Sequence, residues 1–280
     1  MTKCTLCPRG CPRENSFCGE TDFTHAHVAK TMPHHWEEPR VSGTGGSGAV
    51  FFAGCNLRCA FCQNHKISQA RPLAGERVDA AGLARIFWDL AAEGKESGTP
   101  LENINLVTPS HVLPVAREAM RLARGQGFAL PFIWNSNGYE NAQALQSLEG
   151  LVDLYLPDLK YYDDALAERY SAAPGYFACA AAALKEMCRQ TEVLIRHLVL
   201  PGARRDSVGL LDWIAAQLPG AQISLMAQYT PMHRAGGLPP LHRRVTGFEY
   251  RSVVEYAVSL GLGGYMQERE AATSAYTPEF

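Results

Sequence analysis

The residues with the clearest chemistry are Cys55, Cys59 and Cys62, spaced C-x3-C-x2-C directly after the apolar run Ala49–Ala53 and Gly54. The run reads as a buried strand, and the glycine turns the chain out of it. Spacing this tight puts three thiolates on one small loop, where they can hold one cuboidal iron–sulfur cluster. Three cysteines leave one iron of a 4Fe–4S cube without a protein ligand. An open iron can bind a substrate, whereas a fully ligated cluster mainly transfers electrons. Phe61 stands just before the last cysteine, where it can shield the cluster and reach into a pocket. A zinc loop is the rival reading; zinc needs a fourth Cys or His, and His65 is near.

A second set lies upstream: Cys4, Cys7, Cys11 and Cys18. The Pro and Gly residues after these cysteines suit tight turns that aim sulfurs at a common point. Four thiols make a complete tetrahedral set, so the site is expected to be closed, and structural or electron-relaying. Zinc, a rubredoxin-like iron and a second cluster all fit it. His25, His27, His34 and His35 follow, and solvation or packing accounts for them without a role in chemistry. Gly43 to Gly48 satisfies G-x-G-x-x-G, but it precedes a strand instead of linking strand to helix. It therefore reads as a turn feeding the first strand and not as a dinucleotide site. Cys179 and Cys188 are isolated and read as buried apolar thiols.

These residues need a scaffold, and from residue 49 onward strand and helix patterns alternate. Helix periodicity covers Asp79–Glu93, with Leu83, Ile86, Phe87 and Leu90 on one face. It recurs over Leu113–Arg124, Asn141–Leu148, Asp163–Arg189, Ser207–Leu218 and Tyr250–Leu260, with Pro174-Gly175 splitting the long stretch. Strands are expected at Asn103–Val107, Pro131–Trp134, Val152–Leu156, Glu192–Leu200 and Ala221–Met226. Six strand–helix units argue for a parallel sheet. Right-handed crossovers curl it, but six units fall short of the eight in a closed barrel. The expected fold class is α/β, a partial (β/α)6 TIM-like barrel with a small cysteine-rich N-terminal segment. A doubly wound open sheet is the alternative. The expected division is a metal-binding segment at 1–48, the barrel at 49–270 and a loose tail at 271–280.

In a parallel barrel all strands end at one face. The cysteine loop, Thr108 to His111, Asn135 to Asn137, Asp158 to Lys160, Arg196 to Leu200 and Gln228-Tyr229 should therefore converge. Net charge is −2, without the basic footprint of a nucleic-acid or membrane-surface binder. No apolar run is long enough to span a bilayer, and Met-Thr-Lys-Cys carries no signal segment. The cytoplasm is expected, where nine cysteines serve as metal ligands more readily than as disulfides.

C-x3-C-x-aromatic-C after a strand resembles the radical S-adenosylmethionine (SAM) signature. GSGAVFFAGCNLRCAFCQN, LVTPSH, DLK and IRHLVLPG, in that order, resemble the iron–sulfur branch related to pyruvate formate-lyase activating enzyme. The resemblance runs from the first cysteine to the last helix. It implies a partial barrel, a 4Fe–4S cluster at Cys55, Cys59 and Cys62, and SAM bound to the open iron. It further implies SAM contacts at Asp158 and Lys160 by the methionyl end, and at Arg196 and Leu198 near the adenosine. Asn135 and Ser136, before Asn137, stand where the family has Asp-Thr. Thr108 and Ser110 replace its Gly-Gly-Glu turn. The implied activity is reductive SAM cleavage to a 5′-deoxyadenosyl radical, with flavodoxin or ferredoxin as reductant. A glycine of a partner glycyl radical enzyme is the implied hydrogen donor. Two alternatives stand beside it: radical chemistry on a small molecule or peptide, and a non-catalytic two-site electron-transfer protein.

Overall fold

The computed structural model describes residues 3–267. Among them, nine strands form one sheet: β1 His25–His34, β2 Ser47–Phe52, β3 Glu76–Asp79, β4 Asn103–Val107, β5 Phe132–Ser136, β6 Leu154–Pro157, β7 Glu192–Leu198, β8 Gln222–Met226 and β9 Gly264–Met266. Their order is β3-β1-β2-β4-β5-β6-β7-β8-β9. Strand β1 runs antiparallel to β2 and β3, whereas every pairing from β2 to β9 is parallel. The sheet does not close, because β3 and β9 are its two edges. The helices are α1 Pro39–Ser42, α2 His65–Ser68, α3 Ala80–Glu96, α4 Leu113–Gly125, α5 Ala142–Leu145, α6 Asp164–Ser171, α7 Tyr176–Gln190, α8 Arg204–Gln217 and α9 Gly247–Ser259.

Strand alternation sorts the apolar side chains onto two faces. Phe52, Ile104, Leu106, Phe132, Trp134, Ile195 and Leu225 enter the large core shared with the long helices. On the opposite face Ile133, Leu154, Leu156 and Leu194 enclose Val41 of α1, while Ala49 and Phe51 meet Ile67 of α2. The long helices thus cover one face, which favours the partial barrel over the doubly wound sheet. Helix α1 plugs the other face, and Asn103 Nδ2 donates to the Val41 carbonyl at 2.6 Å. Burying Val41 there contributes roughly 1.5–3 kcal/mol. Local signals hold at the helix ends. Asp79 caps α3 by accepting from Gly82 N, and Thr246 with Glu249 forms a capping box on α9. The split at Pro174-Gly175 separates α6 from α7 as expected.

Four expectations change. The segment 1–48 is not irregular throughout, since ten residues of it form β1. A boundary at 48 falls within β2, the strand that pairs with β1. The four histidines expected in a linker lie in β1 or just after it. Strands β3 and β9 extend the sheet beyond the six expected, and both are short and largely exposed, so they carry little apolar pattern. Cys188 is exposed, not buried. The tail expected at 271–280 lies outside the described residues.

Candidate functional site

Strand β2 delivers the chain to Gly54, whose φ of 87° favours glycine. A Cβ there would lie 2.5 Å from the Cys18 carbonyl oxygen. The cysteine loop that follows is pinned from outside: Arg58 N donates to Ser171 O at 2.9 Å and Ala60 N to Tyr170 O at 2.7 Å. Each sulfur has a hydrogen-bond partner. Leu57 N and Asn137 Nδ2 approach Cys55 Sγ at 3.3 and 3.5 Å, Ser171 Oγ lies 3.0 Å from Cys59 Sγ, and Ser68 Oγ lies 3.3 Å from Cys62 Sγ. Burial pushes the Cys55 thiol up to about 12 and the Cys62 thiol to about 11, so metal loading has to displace protons. Phe61 is buried and meets Tyr229 edge-on at 5.7 Å. Among the described residues, no three His, Cys, Asp or Glu side chains are placed as a single metal ion requires. Three sulfurs, each with a polar partner, on a loop facing a cavity fit an iron–sulfur cluster with one open position.

That cavity measures about 260 Å³. Cys55, Cys59 and Cys62 line it together with Thr108, Asn135, Ser136, Asn137, Asp158, Lys160, Arg196 and Leu198. The strand ends therefore converge on the cysteine loop. Thr108 has φ 60°, a strained value for a β-branched residue, and its N–H donates to Asn135 O at 2.8 Å. Lys160 Nζ sits 2.6 Å from Asp158 Oδ2. Burial opposes the ammonium, but Asp158 and the nearby Cys59 and Cys62 hold its pKa above the ordinary lysine value. Two side chains on the cavity wall are already committed. Ser136 Oγ donates to Glu140 Oε2 at 2.6 Å; that buried carboxyl also accepts from Trp134 Nε1 at 2.8 Å, and burial raises its pKa. Arg196 Nε donates to Glu38 Oε1 at 2.9 Å, and its Nη2 pairs with both Glu37 and Glu38.

Ser110 is placed elsewhere than expected. Pro109 leads into a 3-10 turn, Ser110–Val112, which carries Ser110 away from the cavity. It lines a second, small cavity of about 20 Å³ with Cys4, Cys7, Cys11 and Cys18. A hairpin shapes the first three cysteines: Cys4 N donates to Cys11 O at 2.8 Å, and Gly10 N to Cys7 O at 3.4 Å. Burial raises the Cys7 thiol to about 11 and also raises Cys18. Sequence reasoning missed His34, Trp36 and Glu37, which line the large cavity. They precede the barrel in sequence, and only the pairing of β1 with β2 brings them in. Ser68 and Glu140 were missed too, because polar residues just past a motif carry no periodic signal.

The 4Fe-4S single cluster domain family matches residues 41–156, which hold β2, the cysteine loop, β4 and β5. Over 278 residues the chain is 28% identical to an uncharacterised protein of Methanocaldococcus jannaschii, covering 92% of this chain and 75% of that protein. A radical SAM methyltransferase from Sphaerobacter thermophilus superposes with a TM-score of 0.58 at 15% identity, over 79% of this chain and 66% of that one. The chain has the fold of the radical SAM superfamily. SuiB of Streptococcus suis, in a structure bound to S-adenosylmethionine, superposes with a TM-score of 0.50 at 11% identity, over 81% of this chain and 51% of SuiB. Among the described residues no helix is long and apolar enough to cross a membrane.

Proposed function

We propose that this chain is a radical SAM enzyme. The observation that carries the reading is the three-cysteine loop, with polar partners on all three sulfurs, facing a cavity walled by parallel strand ends. When bound, the reduced cluster and SAM supply a 5′-deoxyadenosyl radical for hydrogen abstraction. Cys55, Cys59 and Cys62 would hold the cluster. Lys160 and Asp158 offer a cation and an anion for the carboxylate and amino groups of SAM. Thr108, Asn135 and Asn137 offer neutral polar partners, and Leu198, Met226 and Phe61 supply the apolar wall that limits water. The unclosed sheet supports a substrate as large as a polypeptide loop, such as the glycine of a partner glycyl radical enzyme, with flavodoxin or ferredoxin as the reductant. The cytoplasm suits such an oxygen-sensitive centre.

The test is anaerobic reconstitution with iron and sulfide, reduction, addition of SAM and an assay for 5′-deoxyadenosine. The wild type is expected to form it and a Cys55/Cys59/Cys62→Ala variant is not. No product from a wild-type protein whose cluster is loaded and reduced overturns the reading in favour of an electron carrier. A glycyl EPR signal on a co-incubated glycyl radical enzyme identifies the activating type. SAM cleavage without that signal points to a small-molecule or peptide substrate.

A further inference from the structure

The two cysteine sets, far apart in sequence, share a wall. Gly54 packs against the Cys18 backbone so closely that no side chain fits between them. Asn56, directly after Cys55, lines the upstream cavity together with Cys7. Its Oδ1 accepts from Asn137 Nδ2 at 2.7 Å, and that same amide approaches Cys55 Sγ. Arg9 Nε donates to the Asn56 carbonyl at 2.6 Å. On the other side of the wall, Arg58 Nη1 donates to Cys55 O at 2.8 Å and Nη2 to Phe17 O, next to Cys18. The Arg9 and Arg58 guanidinium groups both cover the Phe17 ring, at 3.4 and 4.1 Å. Two cations therefore stand between two sets of sulfurs, where they can offset the negative charge of thiolate-bound clusters.

We infer that Cys4, Cys7, Cys11 and Cys18 hold a second iron–sulfur cluster, fully ligated, that relays electrons to the Cys55 site across the Asn56–Arg58 wall. This rests on the reading that Cys55, Cys59 and Cys62 hold a cluster. Four thiolates leave no open iron on a cube, so this centre transfers electrons and binds no substrate. All four cysteines line one cavity, so their sulfurs can serve one centre. The site lies near the surface, with exposed Thr5, Pro8 and Pro12 beside its cysteines, where a protein donor can approach. A one-electron donor of the flavodoxin or ferredoxin class reduces the second cluster by one electron. That electron then passes to the first cluster and the second returns to its oxidised state; no bond forms or breaks and no proton moves.

The decisive preparation is the Cys55/Cys59/Cys62→Ala variant, reconstituted anaerobically, because it removes the first cluster. It is expected to retain about four iron and four sulfide per chain and to give, on reduction, an EPR signal that SAM leaves unchanged. One zinc without sulfide, or no metal at all, overturns the second cluster, while the wild-type 5′-deoxyadenosine assay still decides the radical SAM reading separately. The relay is read in a Cys4/Cys7/Cys11/Cys18→Ser variant. Reduction of its first cluster by flavodoxin hydroquinone should slow by about tenfold or more, with titanium(III) citrate reducing it as fast as in the wild type. Equal rates with the protein donor overturn the relay. Should this variant not fold, the iron, sulfide and EPR readings of the first preparation still decide whether the second cluster exists.

Discussion

Replacing Arg196 by Met should unsettle the barrel interior before it affects any cofactor. Arg196 is 8% exposed, and its guanidinium pairs with Glu38, 7% exposed, and with Glu37. Removing one partner of a buried ion pair leaves uncompensated charge, at a cost of about 3–5 kcal/mol. His34 Nε2, 3.9 Å from Glu37, can offset only part of that if it becomes protonated. The pH dependence should also change sign. Burial pushes the Glu38 carboxyl up, but Arg196 outweighs it and holds the pKa below the ordinary value. In the wild type this group therefore stabilises the fold above the unfolded carboxylate pKa, and that stability is lost on acidification. Without Arg196 burial dominates and the folded pKa rises above the unfolded one, so the variant's deficit shrinks as pH falls. Urea unfolding of the reduced apoprotein at pH 7 and pH 5 measures this. The expected pattern is a loss of about 3–5 kcal/mol at pH 7, a smaller loss at pH 5, and partial recovery in Arg196→Met/Glu37→Gln/Glu38→Gln. A variant within about 1 kcal/mol of wild type at pH 7, the range of an exposed pair, would refute the reasoning and return the guanidinium to the cavity as a free cofactor contact.

His197 is buried, with Nδ1 2.8 Å from Leu159 O and Nε2 2.8 Å from Ser207 Oγ, and burial lowers its pKa to about 4. The unfolded chain takes up that proton first as pH falls, so stability should drop below about pH 6.5, by about 2 kcal/mol at pH 5 relative to pH 7.5. His197→Gln should lack this increment in paired urea titrations. Gly54→Ala forces a Cβ against the Cys18 carbonyl at a positive φ, so it should lose about 1–3 kcal/mol and retain less iron, read by metal analysis.

The alternation of apolar strands with amphipathic helices was legible because each element writes its own period into the chain. Helix α4 matches its expected span to one residue, and β4 matches it fully. The cysteine loop was legible for the same reason: its geometry is set by spacing along a few residues. Strand β1 was not, because its burial is uneven over its ten residues and histidines occupy four of the positions in or beside it. Arg196 shows the limit for side chains. Its position at a strand end was readable, but its commitment to Glu37 and Glu38 depends on carboxylates 159 and 158 residues away in the chain.

From sequence alone came the cysteine loop, the six parallel strand units and the set of strand ends that gather at one face. All of these follow from local spacing, periodicity and the single direction of parallel strands. Tertiary structure alone decided that β1 extends the sheet, that α1 plugs the concave face, that Ser110 turns away from the large cavity, and that the two cysteine sets share the Asn56–Arg58 wall. These are contacts between residues far apart in the chain. They depend on which side chains meet after the sheet has curled, and no local period records that.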